Sequence, residues 1–520
     1  MNSDSGQSTS VWMEVEVPHF SPLTQDISTD VCVIGAGIAG LTTAYLLMRA
    51  GKRVVVLDDG PVGGGESGRT TGHLTNAIDD RYIEIEKMHG EGGARLAYAS
   101  HTAAINQIEE IAGREGIDCD LVRLDGYLFV PPGEKSDILD DEMAAAHRAG
   151  FTTVERVQRA PLPGFDTGPA LRFPQQGQIH ILKYLAGLAH AITKAGGRIF
   201  CDTRASDQIE PGPPARVATE TGFTVTANQV VVATNSPIND HWSDLFAIHM
   251  RQAAYRTFVI GARVPQGSVP SALFWDTPDP YHYVRLQKGT AANGSKHDLL
   301  IIGGEDHKTG QADDADERYA KLEAWARQRF PMLQTVDFRW SGQVQEPADG
   351  LALIGPNPGD AAHIYIATGD SGMGMTHGTI AGLLITDLIQ GRPNPWATLY
   401  SPSRRMSSLS AARELVSENV NVAVQYTDLV TGGDVESAEQ IQPGQGAVLR
   451  RGLSKVAAYR DEANVLHEHS ALCTHLGCVV AWNSEEKSWD CPCHGSRFDA
   501  YGRVQDGPAS VDLAAVEPEK

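Results

Sequence analysis

The stretch Gly35-Ala36-Gly37-Ile38-Ala39-Gly40 constrains this chain more than any other. It lies between a short apolar run, Asp30 to Ile34, and a helical pattern in which Leu41, Ala44, Tyr45, Leu47 and Met48 share one face before Gly51. A second apolar run, Arg53 to Leu57, follows. Strand, glycine turn, helix and strand make a βαβ unit, which sets its two strands parallel in a helix-covered sheet. Gly35 permits the tight turn, Gly37 lets backbone approach a pyrophosphate, and Gly40 allows close helix–strand packing. The phosphates would meet the free N–H groups of Ala36, Ile38 and Ala39 around the helix start. Asp58 ends the second strand, 18 residues after Gly40. There it can hydrogen-bond ribose hydroxyls, which disfavours a 2′-phosphate. Gly63 to Gly68 also spells GxGxxG, but it follows no strand directly. Without a second strand-associated motif, a separate NAD(P)H domain is not expected.

Four of the seven cysteines crowd the C-terminal end: Cys473, Cys478, Cys491 and Cys493. Such a cluster suits a metal better than a disulfide framework. Cys473-Thr-His475 and Cys491-Pro-Cys493-His494 lie fifteen residues apart. A tetrahedral zinc site is one reading of close Cys and His pairs. The spacing also resembles the Rieske pattern, in which two cysteines hold one iron of a [2Fe–2S] cluster and two histidines the other. That resemblance implies Cys473, His475, Cys491 and His494 as ligands. It further implies a disulfide between Cys478 and Cys493, which counts against zinc, and a shielding proline loop at Gly507-Pro508-Ala509. Ser496 stands where a Rieske serine donates to a bridging sulfide. Phe498 stands where high-potential members carry a tyrosine donor, so a low reduction potential is expected.

Three segments resemble the D-amino-acid-oxidase-like flavoproteins, which include glycine and sarcosine oxidases. Ser67-Gly-Arg69-Thr70-Thr71 matches a segment running along the flavin. Val230-Val-Val-Ala233-Thr234-Asn235 matches the strand and turn near the adenine half. Gly369-Asp-Ser-Gly372-Met373-Gly374-Met375-Thr376-His377 matches the C-terminal flavin loop. The resemblance covers about 28–400 and implies FAD as cofactor and oxidation of a C–N bond in an amine or amino acid. His377, Tyr283 and Arg285 are the candidate catalytic residues, with Arg285 placed to clamp a substrate carboxylate. Against this, aromatics at strand spacing are usually core, and an arginine is usually an ion-pair partner. Phe274-Trp275-Asp276 and Tyr281-His282 are further pocket candidates. His73 is either a covalent flavin attachment point or a structural histidine.

The expected fold is α/β: an FAD-binding Rossmann-like domain, a β-rich substrate domain and a C-terminal all-β Rieske domain. The divisions are an arm at 1–28, an oxidoreductase body at 29–400, a linker at 401–432 and the Rieske domain at 433–520. Within the body, FAD-binding parts are expected at about 29–105, 175–245 and 345–395, and substrate parts at about 106–174 and 246–344. A chain of 520 residues is too long for one core. Its formal charge of 43 − 65 = −22 disfavours nucleic acid and favours cationic partners. Met1 to Ser10 is polar with no apolar signal after it, and no stretch reaches membrane-span length, so a cytoplasmic protein without a transmembrane segment is expected.

These parts suggest a dehydrogenase. Substrate gives a hydride to FAD, and electrons leave singly through the cluster to an external carrier such as a ferredoxin-like protein, a cytochrome or a quinone. The alternatives are an NAD(P)H-driven reductase and a flavin oxidase whose Rieske domain is a redox sensor or staple. A Rieske oxygenase would need a mononuclear iron held by two histidines and a carboxylate. Its usual histidine spacing of five occurs nowhere among the 18 histidines.

Overall fold

The first strand, Ile27–Ile34, runs parallel to Val54–Leu57, with the helix Ile38–Arg49 crossing between them. Val31, Cys32, Val33 and Ile34 are all buried, because helices and a β-layer cover both faces of the sheet. The computed structural model describes residues 5–239, 248–290, 296–406 and 408–516. Residues 240–247 and 291–295 of the expected body, 1–4 of the arm, 407 of the linker and 517–520 of the C-terminal domain lie outside the described residues.

The first sheet places Ile364–Thr368, Thr224–Val232, Ile27–Ile34, Val54–Leu57 and Arg198–Phe200 side by side and parallel. Leu353–Pro356 closes one edge antiparallel. The helix Gly374–Ile389 packs on Ile38–Arg49 through small residues: a Cβ on Gly378 would lie 2.7 Å from Ile38 Cγ2, and one on Gly382 2.6 Å from Thr42 Cγ2.

The second sheet is mostly antiparallel and starts from the order Val336–Pro347, Gln252–Pro265, Lys296–Lys308, His282–Thr290. It continues through Leu273–Asp276, Val122–Phe129, Ala170–Gln178 and His73–Leu74. The pair His73–Leu74 comes from within the expected FAD-binding part, so the two sheets are stitched together at that point. One face of this sheet holds a separate apolar core with the helix Ala315–Arg329, while its other face looks toward the first sheet.

After the helix Leu409–Gln425 the chain becomes all-β. Gln445–Arg451, Ser454–Arg460 and Leu466–Ser470 form one meander, and Ala481–Asn483, Ser488–Asp490, Arg497–Asp499 and Val504–Asp506 form another. Trp482, Trp489 and Phe498 fill the core between them. Among the described residues, no helix is long and apolar enough to cross a membrane.

Candidate functional site

A cavity of about 1120 Å³ opens between the two sheets at the end of the first strand. Gly35, Gly37, Ile38 and Ala39 form its floor. Gly35 has φ +107° and sits where a Cβ would lie 2.4 Å from the Ala233 carbonyl. A Cβ on Gly40 would lie 1.9 Å from the Gly35 carbonyl, so this glycine serves helix–strand packing and does not line the cavity. Asp58 lines the wall and also ties the turn, accepting from Ala36 N at 2.5 Å and Gly60 N at 2.9 Å.

The other expected cofactor residues gather here. Ser67, Arg69, Thr70 and Thr71 line one side, and Ala233 and Thr234 the far end. Gly372, Met373, Gly374, Met375 and His377 line the end of the C-terminal loop. Gly369 and Thr376 lie behind that lining: Gly369 packs on Pro347, and the Thr376 hydroxyl bonds His101 Nδ1 at 2.8 Å. His377 Nδ1 lies 2.9 Å from the Asp370 carbonyl, which can only accept, so Nδ1 carries the proton. Burial pushes His377 down to about 4 and keeps its ring neutral.

Tyr283 lines the cavity, its hydroxyl 3.0 Å from Thr257 Oγ1. His73 lies beside it, 5.8 Å between ring centroids. Arg285 departs from the expected carboxylate clamp. It is fully buried, and its guanidinium donates to the carbonyls of Thr71, Gly72 and Ile179 and to Gln287. It therefore braces the Ser67–Gly72 segment from behind, because an enclosed guanidinium takes the carbonyls that surround it. Sequence reasoning missed the carboxylates of the chamber: Asp79, Asp80, Asp306 and Glu346 all line it. Asp79-Asp80 reads locally as a polar turn, and strand periodicity does not reveal which polar face is enclosed.

In the C-terminal domain, the expected ligands lie on two matching turns. Gly477 N donates to the Cys473 carbonyl at 2.9 Å, and Gly495 N to that of Cys491 at 3.0 Å. The disulfide Cys478–Cys493 joins the turns, with Cys491 Sγ within 4.8 Å of both its sulfurs. The Cys473 thiol hydrogen-bonds Cys491 and Ser496, and the His475 and His494 rings are 5.1 Å apart. Burial pushes His494 down to about 2, giving the neutral imidazole that metal ligation requires. Its Nδ1 is sealed from solvent with no hydrogen-bond partner. The donor set of two thiols and two imidazoles fits a [2Fe–2S] cluster. Ala509 N donates to Ser496 Oγ at 3.0 Å, folding the proline loop over the turns.

A family model described as FAD dependent oxidoreductase matches residues 30–388. The chain belongs to that family. A second family model, the Rieske [2Fe-2S] domain, matches residues 433–517. The Rieske 2Fe-2S iron-sulfur protein YhfW of Bacillus subtilis is 32% identical over 96% of both chains, so the two-part architecture is shared. Gamma-glutamylputrescine oxidoreductase of Escherichia coli is 32% identical over 72% of this chain and 86% of its own. Glycine oxidase from Geobacillus kaustophilus superposes with a TM-score of 0.58 at 18% identity, covering 73% of this chain and all of that one. The protein is thus an FAD-dependent oxidoreductase with a C-terminal Rieske domain.

The Rieske domain is packed onto the flavin body through buried charge. Glu486 is fully buried, 3.0 Å from Arg69 Nη1 and 3.4 Å from Arg256 Nη1. It also accepts from Ser8 N at 2.9 Å and from the hydroxyls of Ser8 and Ser341, both at 2.5 Å. Arg497 joins the network through Asp490 at 3.3 Å and Glu66 at 3.7 Å. Arg69, expected along the flavin, thus spends its guanidinium on this clamp. Burial alone would raise Glu486, but Arg69, Arg256 and Arg497 outweigh it and hold its carboxyl far below the usual range. His249 of the body packs edge-on against both expected ligand histidines, 4.3 Å from His475 and 5.0 Å from His494 between centroids.

Proposed function

We propose that this enzyme is an FAD-dependent dehydrogenase of amines or amino acids whose electrons leave singly through the Rieske domain to an external carrier. The observation that carries this reading is a shared wall. Val504, Gln505, Asp506, Gly507 and Ala509 of the Rieske domain line the cavity that also contains the glycine turn and His377. Gln343 of the body bridges the two, donating to the Gly495 carbonyl at 3.0 Å and to Asp506 Oδ2 at 2.9 Å. Gly495 is the residue after His494.

When bound, FAD supplies a hydride acceptor and the [2Fe–2S] cluster a one-electron relay. The chain's own residues do the rest. The turn at Gly35–Ala39 and Asp58 would hold the dinucleotide. Arg285 fixes the segment Ser67–Gly72 from behind. His377, held neutral, adds no positive charge beside an amine that must lose its proton before oxidation. The helix Leu409–Gln425 covers one side of the cavity with Ser410, Glu414 and Glu418. Cys32, Cys119 and Cys201 are buried free thiols, which suits a cytoplasmic location.

The test is an anaerobic screen of amines and amino acids, following flavin absorbance and the electron paramagnetic resonance of the reduced cluster. A substrate should bleach the flavin and then bring up the cluster signal. His494→Ala should abolish transfer to a protein or quinone acceptor while leaving flavin bleaching intact. Stoichiometric oxygen consumption at an unchanged rate in that variant would overturn the exit route.

A further inference from the structure

The chamber facing the second sheet joins carboxylates to aromatic rings. Asp79, Asp80, Asp306 and Glu346 line it with Trp275 and Tyr281, beside Tyr283. The Tyr281 hydroxyl donates to Asp79 Oδ2 at 3.2 Å. Ser371 Oγ lies 3.0 Å from Asp80 Oδ2 and 2.7 Å from Glu346 Oε2. One hydroxyl proton serves only one of these two carboxylates at a time. Asp306 Oδ1 and Thr277 Oγ1 in this lining are sealed from solvent and meet no hydrogen-bond partner, although Thr257 bonds the Asp306 carboxyl.

Arg81 lines the chamber beside Asp79 and Asp80 and supplies a positive charge there, while Arg318 and Lys308 are paired with other carboxylates. Arg318 pairs with Asp314, Lys308 with Glu418, and Arg81 donates to the Thr277 carbonyl. Desolvation within the cavity pushes Asp80 and Asp306 up to about 7, with Arg318 offsetting part of this at Asp306, while Asp79 is the most exposed of the acids. Four acids face Arg81 across this lining, so the set is short of positive charge. A substrate carboxylate would add to the repulsion, and Arg285, the side chain that could have held one, is turned into the backbone behind the flavin segment.

We propose that this chamber selects amines with two positive centres, diamines or longer polyamines, over amino acids. One nitrogen is presented to the flavin, and a second ammonium lies among Asp79, Asp80, Asp306 and Glu346 and the faces of the tyrosine and tryptophan rings. Carboxylates and aromatic faces are the two groups that bind ammonium best out of water. The proposal rests on the reading of the enzyme as one that oxidises amines or amino acids.

The test separates binding from turnover. The oxidised holoenzyme is titrated by calorimetry with 1,4-bis(trimethylammonio)butane, whose quaternary nitrogens resist oxidation. Butyltrimethylammonium serves as the single-charge control, and glycine betaine as the control bearing a carboxylate. The dication should bind about 10- to 30-fold more tightly than the single cation, as expected for one added desolvated cation–π contact without hydrogen bonds, with betaine weakest. Asp306→Asn and Glu346→Gln should each remove most of that preference without changing flavin content. Equal affinity for the single and double cations, or tighter binding of betaine, would overturn the proposal, with no variant needed. In parallel, 1,4-diaminobutane, spermidine, glycine and L-proline are tested for anaerobic flavin bleaching. Bleaching by the amino acids alone would refute diamine selection and leave the dehydrogenase reading intact. Selective binding of the dication, with bleaching by none of the four, would support the chamber assignment and count against that reading.

Discussion

The substitution Glu486→Gln tests how the two halves of the enzyme are held. The network around Glu486 contains Arg69, Arg256 and Arg497 against Glu486, Asp490 and Glu66, three positive charges balanced by three negative. The amide would fill nearly the same space as the carboxylate yet leave one buried guanidinium charge uncompensated. Removing one partner of a buried ion pair costs about 3–5 kcal/mol. Urea unfolding of the holoprotein is the assay, with flavin fluorescence reporting the body and visible circular dichroism of the cluster reporting the Rieske domain. The Rieske transition should move to lower urea by the equivalent of that cost and separate from the body transition. The sign with pH follows from the depressed carboxyl of Glu486. Its stabilisation is fully present above the unfolded glutamate value of about 4.3 and is lost as pH falls toward the folded value. The gap between wild type and variant should therefore hold steady from neutral pH to about 5 and narrow below about 4. A difference under about 1 kcal/mol at neutral pH, the range of an exposed pair, would refute the clamp.

Other perturbations have equally definite outcomes. Gly35→Ala should yield protein purified largely without FAD, because the new Cβ meets the Ala233 carbonyl at 2.4 Å in a left-handed backbone region; the ratio of visible to ultraviolet absorbance measures it. Phe498→Tyr should raise the cluster potential in a redox titration if the new hydroxyl reaches a cysteine sulfur. A bond worth about 1 kcal/mol corresponds to about 40 mV for one electron. The double change Cys478→Ser, Cys493→Ser should destabilise the two ligand turns by about 3 kcal/mol, the value for a loop of some 15 residues. The cluster should then bleach faster under mild denaturation, as followed by visible absorbance.

The parts legible in the sequence are those written in local spacing. The glycine turn, its strand and its helix declare themselves within thirty residues, and so does the Cys–His pattern of the Rieske turns. Arg285 shows where such reasoning stops. Strand alternation puts Tyr283 and Arg285 on the same side of one strand, so both read as substrate residues. Only the approach of the Thr71 and Gly72 carbonyls from another part of the chain decides that Arg285 braces the flavin segment instead. Glu486 sits in Ser484-Glu485-Glu486-Lys487-Ser488, which reads as a solvated hairpin turn. Its three arginine neighbours come from Arg69, Arg256 and Arg497, so no sequence window contains the site. His249 escapes sequence reasoning for the same cause: a lone histidine has no pattern until His475 and His494 pack against it.

The contact between Ser8 and Glu486 spans 478 positions, and that distance orders assembly. The arm is synthesised first, yet its partner emerges only when the Rieske hairpin has left the ribosome. Loop closure over such a length adds little free energy beyond that of a shorter loop, but it does set the sequence of events. The contact ties the arm at Ser8 to the Rieske hairpin at Glu486. Ser5 also lines the cavity, so a change there would reach the dinucleotide site and the buried clamp together.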